Sequence, residues 1–213
     1  MSTDRHAATR AFYDTVAEEY ASLLPDLRYE RPLEQAMLTE FVDALPDDDA
    51  PVLDAGCGTG RMLTHLSAQG VAPLHGLDLS PEMVAHARAS HPGLPVEVAD
   101  LAALPLDPQT TRGVLCWYAI IHSTRDEVGA ILDEFGRVLR PGGALLLGFQ
   151  AGAGERVVDG RAYGHPLTLH GVLHEPTEIA RMLGQRGFTV IVTAHRAAHG
   201  EERHAQGFVL ARR

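Results

Sequence analysis

Val52-Leu53-Asp54-Ala55-Gly56-Cys57-Gly58-Thr59-Gly60 is a short apolar run that ends in three glycines at alternate positions and passes directly into a helical pattern. A strand that turns at once into a helix brings backbone and ligand close together, because glycine has no side chain to stand between them. The stretch therefore predicts the first strand and helix of an α/β sheet with a nucleotide-like ligand over the turn.

The surrounding rhythm agrees. Short apolar runs near 51–55, 73–78, 94–98, 112–118 and 143–149 alternate with amphipathic stretches near 60–69, 81–90 and 125–139, the pattern of a parallel sheet covered on both faces. Ser80-Pro81-Glu82 is a helix start, and Arg140-Pro141-Gly142-Gly143 a stop and turn before a strand. Ahead of the sheet, Phe12, Val16, Tyr20 and Leu23 make one apolar stripe on a helix over 4–24, which Pro25 ends. A second helix is expected over 32–45, with Leu33, Met37, Phe41 and Leu45 at i+4 spacing. Residues 150–174 carry Gly152, Gly154, Gly160, Gly164 and Gly171 and break the alternation, as an inserted loop or short hairpin. A helix near 176–186 follows. Strands near 188–195 and 206–211 then succeed each other without room for a crossover helix, which permits an antiparallel hairpin at the sheet's end.

The 213 residues suit one domain, with 1–46 as an N-terminal helical lid. A formal charge of -10 repels phosphate backbones, so nucleic acid and anionic membrane are poor partners and a small molecule a better one. Cys57 and Cys116 have no disulfide or zinc spacing, and the opening residues no signal-peptide core, which points to a soluble, cytoplasmic protein. Monomer and homodimer both stay open.

The glycine spacing discriminates between ligands. Dinucleotide sites use G-x-G-x-x-G to hold pyrophosphate on a helix N-terminus, whereas here it is G-x-G-x-G with Asp54 two positions ahead. A carboxylate there disfavours phosphate and suits an ammonium or sulfonium; S-adenosyl-L-methionine has both groups and no phosphate. Asp78, ending Gly76-Leu77-Asp78, lies about twenty residues beyond the glycines, where an acid reads a ribose diol in related sheets. Asp100 ends the third strand region, placed to accept the adenine amine while Leu101 packs on the ring. Taken singly, each acid has a plain reading as a helix cap or turn residue.

With these motifs, and with Val138-Leu139-Arg140-Pro141-Gly142-Gly143, the chain resembles the class I S-adenosylmethionine-dependent methyltransferases of small-molecule type over nearly its whole length. The resemblance implies a Rossmann-like α/β fold of seven strands ordered 3-2-1-4-5-7-6, strand 7 antiparallel, with helices on both faces. It implies a cofactor held by Tyr20, Asp54, Gly56, Cys57, Gly58, Gly60, Asp78, Leu79, Met83, Asp100, Leu101 and Trp117, with Asp54, Gly56 and Gly58 at the methionine end.

The reacting side should follow the fourth strand, in Cys116-Trp117-Tyr118-Ala119-Ile120-Ile121-His122, which lacks the Asn/Asp-Pro-Pro-aromatic signature of nucleobase and peptide-amide methylation. His122 is the first choice for a general base, with His170 and His165 behind it; a histidine that orients a loop is the competing reading. His170, His174 and Glu175 invite a metal, but the glycine-broken segment argues against one. A non-catalytic S-adenosylmethionine sensor is the alternative to an enzyme, and nicotinamide-dependent hydride transfer a third reading that lacks its glycine spacing.

Overall fold

The structure is a computed structural model that describes residues 2–158, 161–166 and 168–213; Gly160 of the insertion lies outside them. In chain order the elements are α1 (Ser2–Leu23), α2 (Pro32–Asp43), β1 (Val52–Ala55), α3 (Arg61–Ala68), β2 (Leu74–Asp78), α4 (Pro81–Ser90), β3 (Val96–Val98), β4 (Thr111–Trp117), α5 (Arg125–Val138) and β5 (Leu139–Ala151). There follow β6 (Glu155–Val158), β7 (Arg161–Ala162), β8 (His165–Pro166), β9 (Leu169–Val172), α6 (Pro176–Gly184), β10 (Thr189–Arg196) and β11 (Ala205–Arg212).

Seven strands form one sheet in the order β3-β2-β1-β4-β5-β11-β10. β1 pairs in parallel with β2 on one side and β4 on the other, while β11 runs antiparallel to both β5 and β10. This is the Rossmann-like order that the family resemblance implies, with the last strand slotted in between the fifth and the sixth. Helices α3, α4 and α5 carry the chain from β1, β2 and β4 back to the starting end of the sheet, while β3 connects to β4 through residues 99–110 without a helix.

Alternate residues of each strand feed two cores. Leu53, Val114, Leu147, Phe149 and Val209 face α5 and α6, burying Phe135, Leu132, Ile179 and Leu183. Val52, Leu115, Trp117, Leu146 and Phe208 face the other way, against Met37, Leu38 and Phe41 of α2 and Leu63 and Leu66 of α3. A third cluster seats α1 by Phe12, Val16 and Ala17 on Met83 of α4 and Leu169 of β9.

Local signals explain the boundaries. Ser80 Oγ accepts from the Met83 amide at 3.1 Å, capping α4. At α5, Thr124 and Glu127 form a reciprocal capping box. Three details differ from the sequence pattern. Leu23, counted in the α1 stripe, is 49% exposed, because α1 overhangs its seat in its last turn. α2 stops at Asp43, leaving Leu45 only partly buried against Gly113. β5 begins at Leu139, and Arg140-Pro141-Gly142-Gly143 form an irregularity inside it: register jumps from Thr111↔Leu139 to Gly113↔Ala144, with Gly142 at φ +83°. The insertion is a hairpin, β6 pairing antiparallel with β9. Among the described residues no helix is long and apolar enough to cross a membrane.

Trp117, the single tryptophan, stacks on fully buried Phe208 with ring centroids 5.5 Å apart. Phe208→Ala should therefore cost about 3–5 kcal/mol in urea unfolding and shift Trp117 emission to the red in the folded state; an unchanged spectrum would show that Trp117 does not depend on this strand.

Candidate functional site

The turn after β1 is built from backbone. Gly56, Gly58 and Gly60 all have positive φ, a region costly to other residues. Gly56 and Cys57 amides donate to the Leu77 carbonyl at 2.7 and 2.9 Å, tying the turn to the end of β2. On its other side the turn meets the chain leaving β4: a Cβ on Gly56 would fall 2.2 Å from that of Ala119. Tyr118 itself sits at φ +60°, an uncommon conformation for an aromatic residue, where the chain swings from β4 into the 3-10 turn Ile120–His122.

Over this turn lies a cavity that, counted with the solvent space at its mouth, takes up about 810 Å³. Of the residues expected from the sequence it gathers Tyr20, Gly56, Gly58, Asp78, Leu79, Met83, Asp100, Leu101, Trp117 and His122. Asp54, Cys57 and Gly60 do not line it. Cys57 is buried beside Gly76, and Gly60 packs on His91, whose Nε2 donates to its carbonyl at 3.0 Å. Asp54 is fully buried, with neither carboxylate oxygen hydrogen-bonded.

Asp78 accepts from the Gly58 amide at 2.8 Å and the Ser80 amide at 2.9 Å, one on each oxygen, which orients the carboxylate and leaves lone pairs free. Burial raises its pKa against these backbone donors. Asp100 Oδ2 accepts from His6 Nδ1 at 3.1 Å, so α1 reaches the far end of the cavity. Trp117 walls the site as a core residue, its Nε1 donating to Glu30 Oε1 at 3.2 Å. Glu30, which pattern reading passed over, is buried and pairs with Arg61.

His122 is 6% exposed and doubly bound. Its Nδ1 donates to the His170 carbonyl at 2.9 Å, which leaves Nε2 as the lone pair that accepts the Tyr13 hydroxyl at 2.8 Å. Burial, with smaller contributions from Arg156 and Arg5, pushes the imidazole down to about 4. The ring is neutral near pH 7, and Tyr13 stands between its basic nitrogen and the cavity. Burial likewise drives the Tyr13 hydroxyl well up, so it stays protonated. Tyr13 was absent from the expected set: it lies one position off the apolar stripe, and its partner is 109 residues away.

His165 pairs with Glu19 at 3.1 Å, His170 contributes its carbonyl, and buried His174 donates to the Ile120 carbonyl at 3.2 Å. Among the described residues no three His, Cys, Asp or Glu are placed to hold a metal ion.

A sheet of this order, with a glycine turn at its switch point and acids beyond successive strands, has counterparts among known proteins. Residues 52–143 match the family described as a methyltransferase domain. This chain carries a class I methyltransferase domain. It is 32% identical to a malonyl-[acyl-carrier protein] O-methyltransferase of Pseudescherichia vulneris over 145 residues, 68% of this chain and 54% of the relative. It is 27% identical to a dTDP-3-amino-3,4,6-trideoxy-alpha-D-glucopyranose N,N-dimethyltransferase of Streptomyces venezuelae over 115 residues, 54% of this chain and 48% of that relative. The chain thus spans about half the length of these curated relatives. The fold also matches the crystal structure of a magnesium protoporphyrin IX methyltransferase from Synechocystis PCC 6803 with bound SAM, with a TM-score of 0.71, 20% identity, 98% of this chain and 97% of that one covered.

The unpaired Asp54 has a measurable consequence. Burial is the main cause that pushes its carboxyl up to about 7; Arg61 opposes this and Asp78 adds to it. A carboxyl that ionises near 4 when unfolded and near 7 when folded stabilises the protein fully below the unfolded value, and that stability is lost as pH rises through the folded one. At about pH 8 the loss amounts to at most about 4 kcal/mol, at 1.36 kcal/mol per pKa unit. Asp54→Asn should therefore melt higher than the parent at about pH 8 and at nearly the same temperature at about pH 4; a variant less stable at the higher pH would contradict the unpaired carboxylate.

Proposed function

We propose that this chain is a single-domain methyltransferase that transfers a methyl group from S-adenosylmethionine to a small-molecule acceptor. The observation that carries this reading is one cavity running from the Gly56 and Gly58 backbone and Asp78 to the Tyr13–His122 pair, covered by α1.

The residues fit the cofactor. Asp78 retains acceptor capacity for a ribose diol. Asp100 and Leu101 offer a carboxylate and an apolar face for adenine, and Met83 and Leu79 supply apolar wall. Asp54 is an orphaned acid outside the cavity lining, two residues behind the Gly56 backbone. A bound ammonium would act on it by charge through the turn and not by contact, favouring its ionised form. Bound in the cavity, the cofactor would supply an electrophilic methyl on a sulfonium, which leaves as a neutral thioether when the acceptor displaces it in line. Trp117 and Tyr118, whose rings meet edge to face, favour a cation by their π faces.

The chain's own contribution is mostly positioning, worth up to about 7–11 kcal/mol when the reacting atoms are held in register. Tyr13 presents its hydroxyl to the acceptor with His122 behind it, and the His170 carbonyl fixes the imidazole tautomer. When a neutral hydroxyl is methylated, the oxonium proton can pass to the Tyr13 hydroxyl as Tyr13 gives its own proton to His122 Nε2, a transfer that even a ring of such low basicity accepts. Methylation of a neutral amine needs no base. A non-catalytic sensor has no use for a Tyr–His pair held 2.8 Å apart inside the cavity.

Calorimetry should show binding of S-adenosylmethionine and S-adenosylhomocysteine but not NAD, with Asp78→Ala at least about tenfold weaker, the loss of a charge-assisted hydrogen bond. With labelled cofactor and a metabolite extract, Tyr13→Phe should lower transfer by about 10²-fold or more while cofactor affinity is kept. NAD binding without either sulfur compound would overturn the reading.

A further inference from the structure

Most of the shielded arginines of this protein have an acidic partner: Arg61 has Glu30, Arg137 has Glu134, Arg186 has Asp133, and Arg196 has Glu34 and Glu202. Arg156 on β6 has none; among the described residues half-buried Arg31 and Arg112 lack an acid too, but the guanidinium of Arg112 is satisfied by the carbonyls of Ala50, Pro46 and Ala72. Arg156 is half-buried, its Nε is shut from solvent with no hydrogen-bond partner, and among the described residues it makes no ion pair. The fold makes room for it nonetheless. Its register partner on β9 is Gly171, where a Cβ would lie 2.6 Å from the Arg156 Nε.

Arg156 borders a second cavity, of about 610 Å³, with Gln150, Gln206, Arg203 and His204. Gln150 and Gln206 are register partners on β5 and β11, so their side chains leave the same face of the sheet. Each has a buried Oε1 without a partner, and Gln206 is 6% exposed with its Nε2 committed to the His204 carbonyl at 2.9 Å. Two acceptors and an unpaired guanidinium thus converge. The acids on the rim are accounted for: both oxygens of Glu202 are held by Arg196 at 2.8 Å, and Glu201 is exposed. The charge of Arg156 is also felt by Tyr13, Tyr163 and His122, which puts it between this cavity and the reacting pair.

We propose that the cavity bounded by Arg156, Arg203, Gln150 and Gln206 anchors the acceptor by a carboxylate, with hydroxyl or amine donors of the same molecule on the glutamine oxygens and its methyl-accepting atom directed past Arg156 to Tyr13. A guanidinium matches a planar carboxylate by paired hydrogen bonds. Glu201 and Glu202 at the rim disfavour a doubly charged phosphate. This deepens the methyltransferase reading and rests on it for the word acceptor.

The test is calorimetry on the full chain saturated with S-adenosylhomocysteine, using 3-hydroxybutyrate, 4-hydroxybenzoate and butyrate, each against its neutral amide. At least one hydroxy acid should bind about tenfold tighter than its amide. Arg156→Gln should abolish that preference and leave the S-adenosylhomocysteine affinity unchanged. Exposed Arg203→Ala, which does not endanger the hairpin, should reduce it by about threefold. The proposal is overturned if no acid outbinds its amide, if both variants keep the preference, or if inorganic phosphate binds more tightly than the acids. Failure of S-adenosylhomocysteine to bind the parent protein would instead sink the methyl-donor reading of the first cavity.

Discussion

Gly56 is gripped from two sides. Its amide is bonded to the end of β2, and its Cα faces the chain leaving β4 so closely that a methyl group would collide with Ala119. β2 and β4 flank β1, and the connections from this central pair diverge to opposite halves of the sheet. A crevice must open at that point, above the carboxyl ends of the strands. Because the floor is backbone held by backbone, its shape does not depend on side-chain rotamers. The acids at Asp78 and Asp100 and the aromatic wall at Trp117 and Tyr118 follow from being next in line after the strands that border the crevice.

A crevice open on one side needs a cover, and α1 provides it with two kinds of contact. Phe12, Val16 and Ala17 bury apolar surface against Met83 and Leu169. Polar contacts then set its register: Asp14 accepts the Ser80 hydroxyl at 2.6 Å, His6 meets Asp100, and Tyr13 meets His122. Each of these partners belongs to a strand end or to the loop just beyond one. Whatever fills the cavity therefore touches the cover as well as the floor, and the energy that holds α1 down is shared with ligand binding. The β6–β9 hairpin lies at the same rim through Tyr163, 5.6 Å from the Tyr20 ring.

What was legible in the sequence is what is encoded locally. The glycine turn, the Ser80 cap, and the order of strands and helices each depend on a few consecutive residues, and the antiparallel end follows from a connection too short for a crossover. Asp78 and Asp100 were legible because they end strands. Tyr13, Glu30 and Arg156 were not. Tyr13 acquires its role from a histidine beyond β4, Glu30 from Trp117 and Arg61, and Arg156 from a glycine on the opposite strand of a hairpin. Cys57 and Gly60 show the converse: they belong to a local motif, yet one fills space beside Gly76 and the other packs on His91, since alternate residues of a tight turn cannot all face one ligand.

The two cavities are electrically linked through Arg156. Burial is the main reason the His122 imidazole is a weak base, and the unpaired guanidinium nearby weakens it further. A carboxylate seated on Arg156 cancels that positive charge and removes its share of the effect, so the same contact that anchors the acceptor raises the basicity of His122. Desolvation remains, so the ring stays well short of an ordinary histidine and still neutral near pH 7. That is the condition in which Nε2 holds the Tyr13 hydroxyl in place until a strongly acidic proton appears. An arginine with no partner in the protein is costly to bury in part, and a charge shared with the acceptor gives that cost a physical reason.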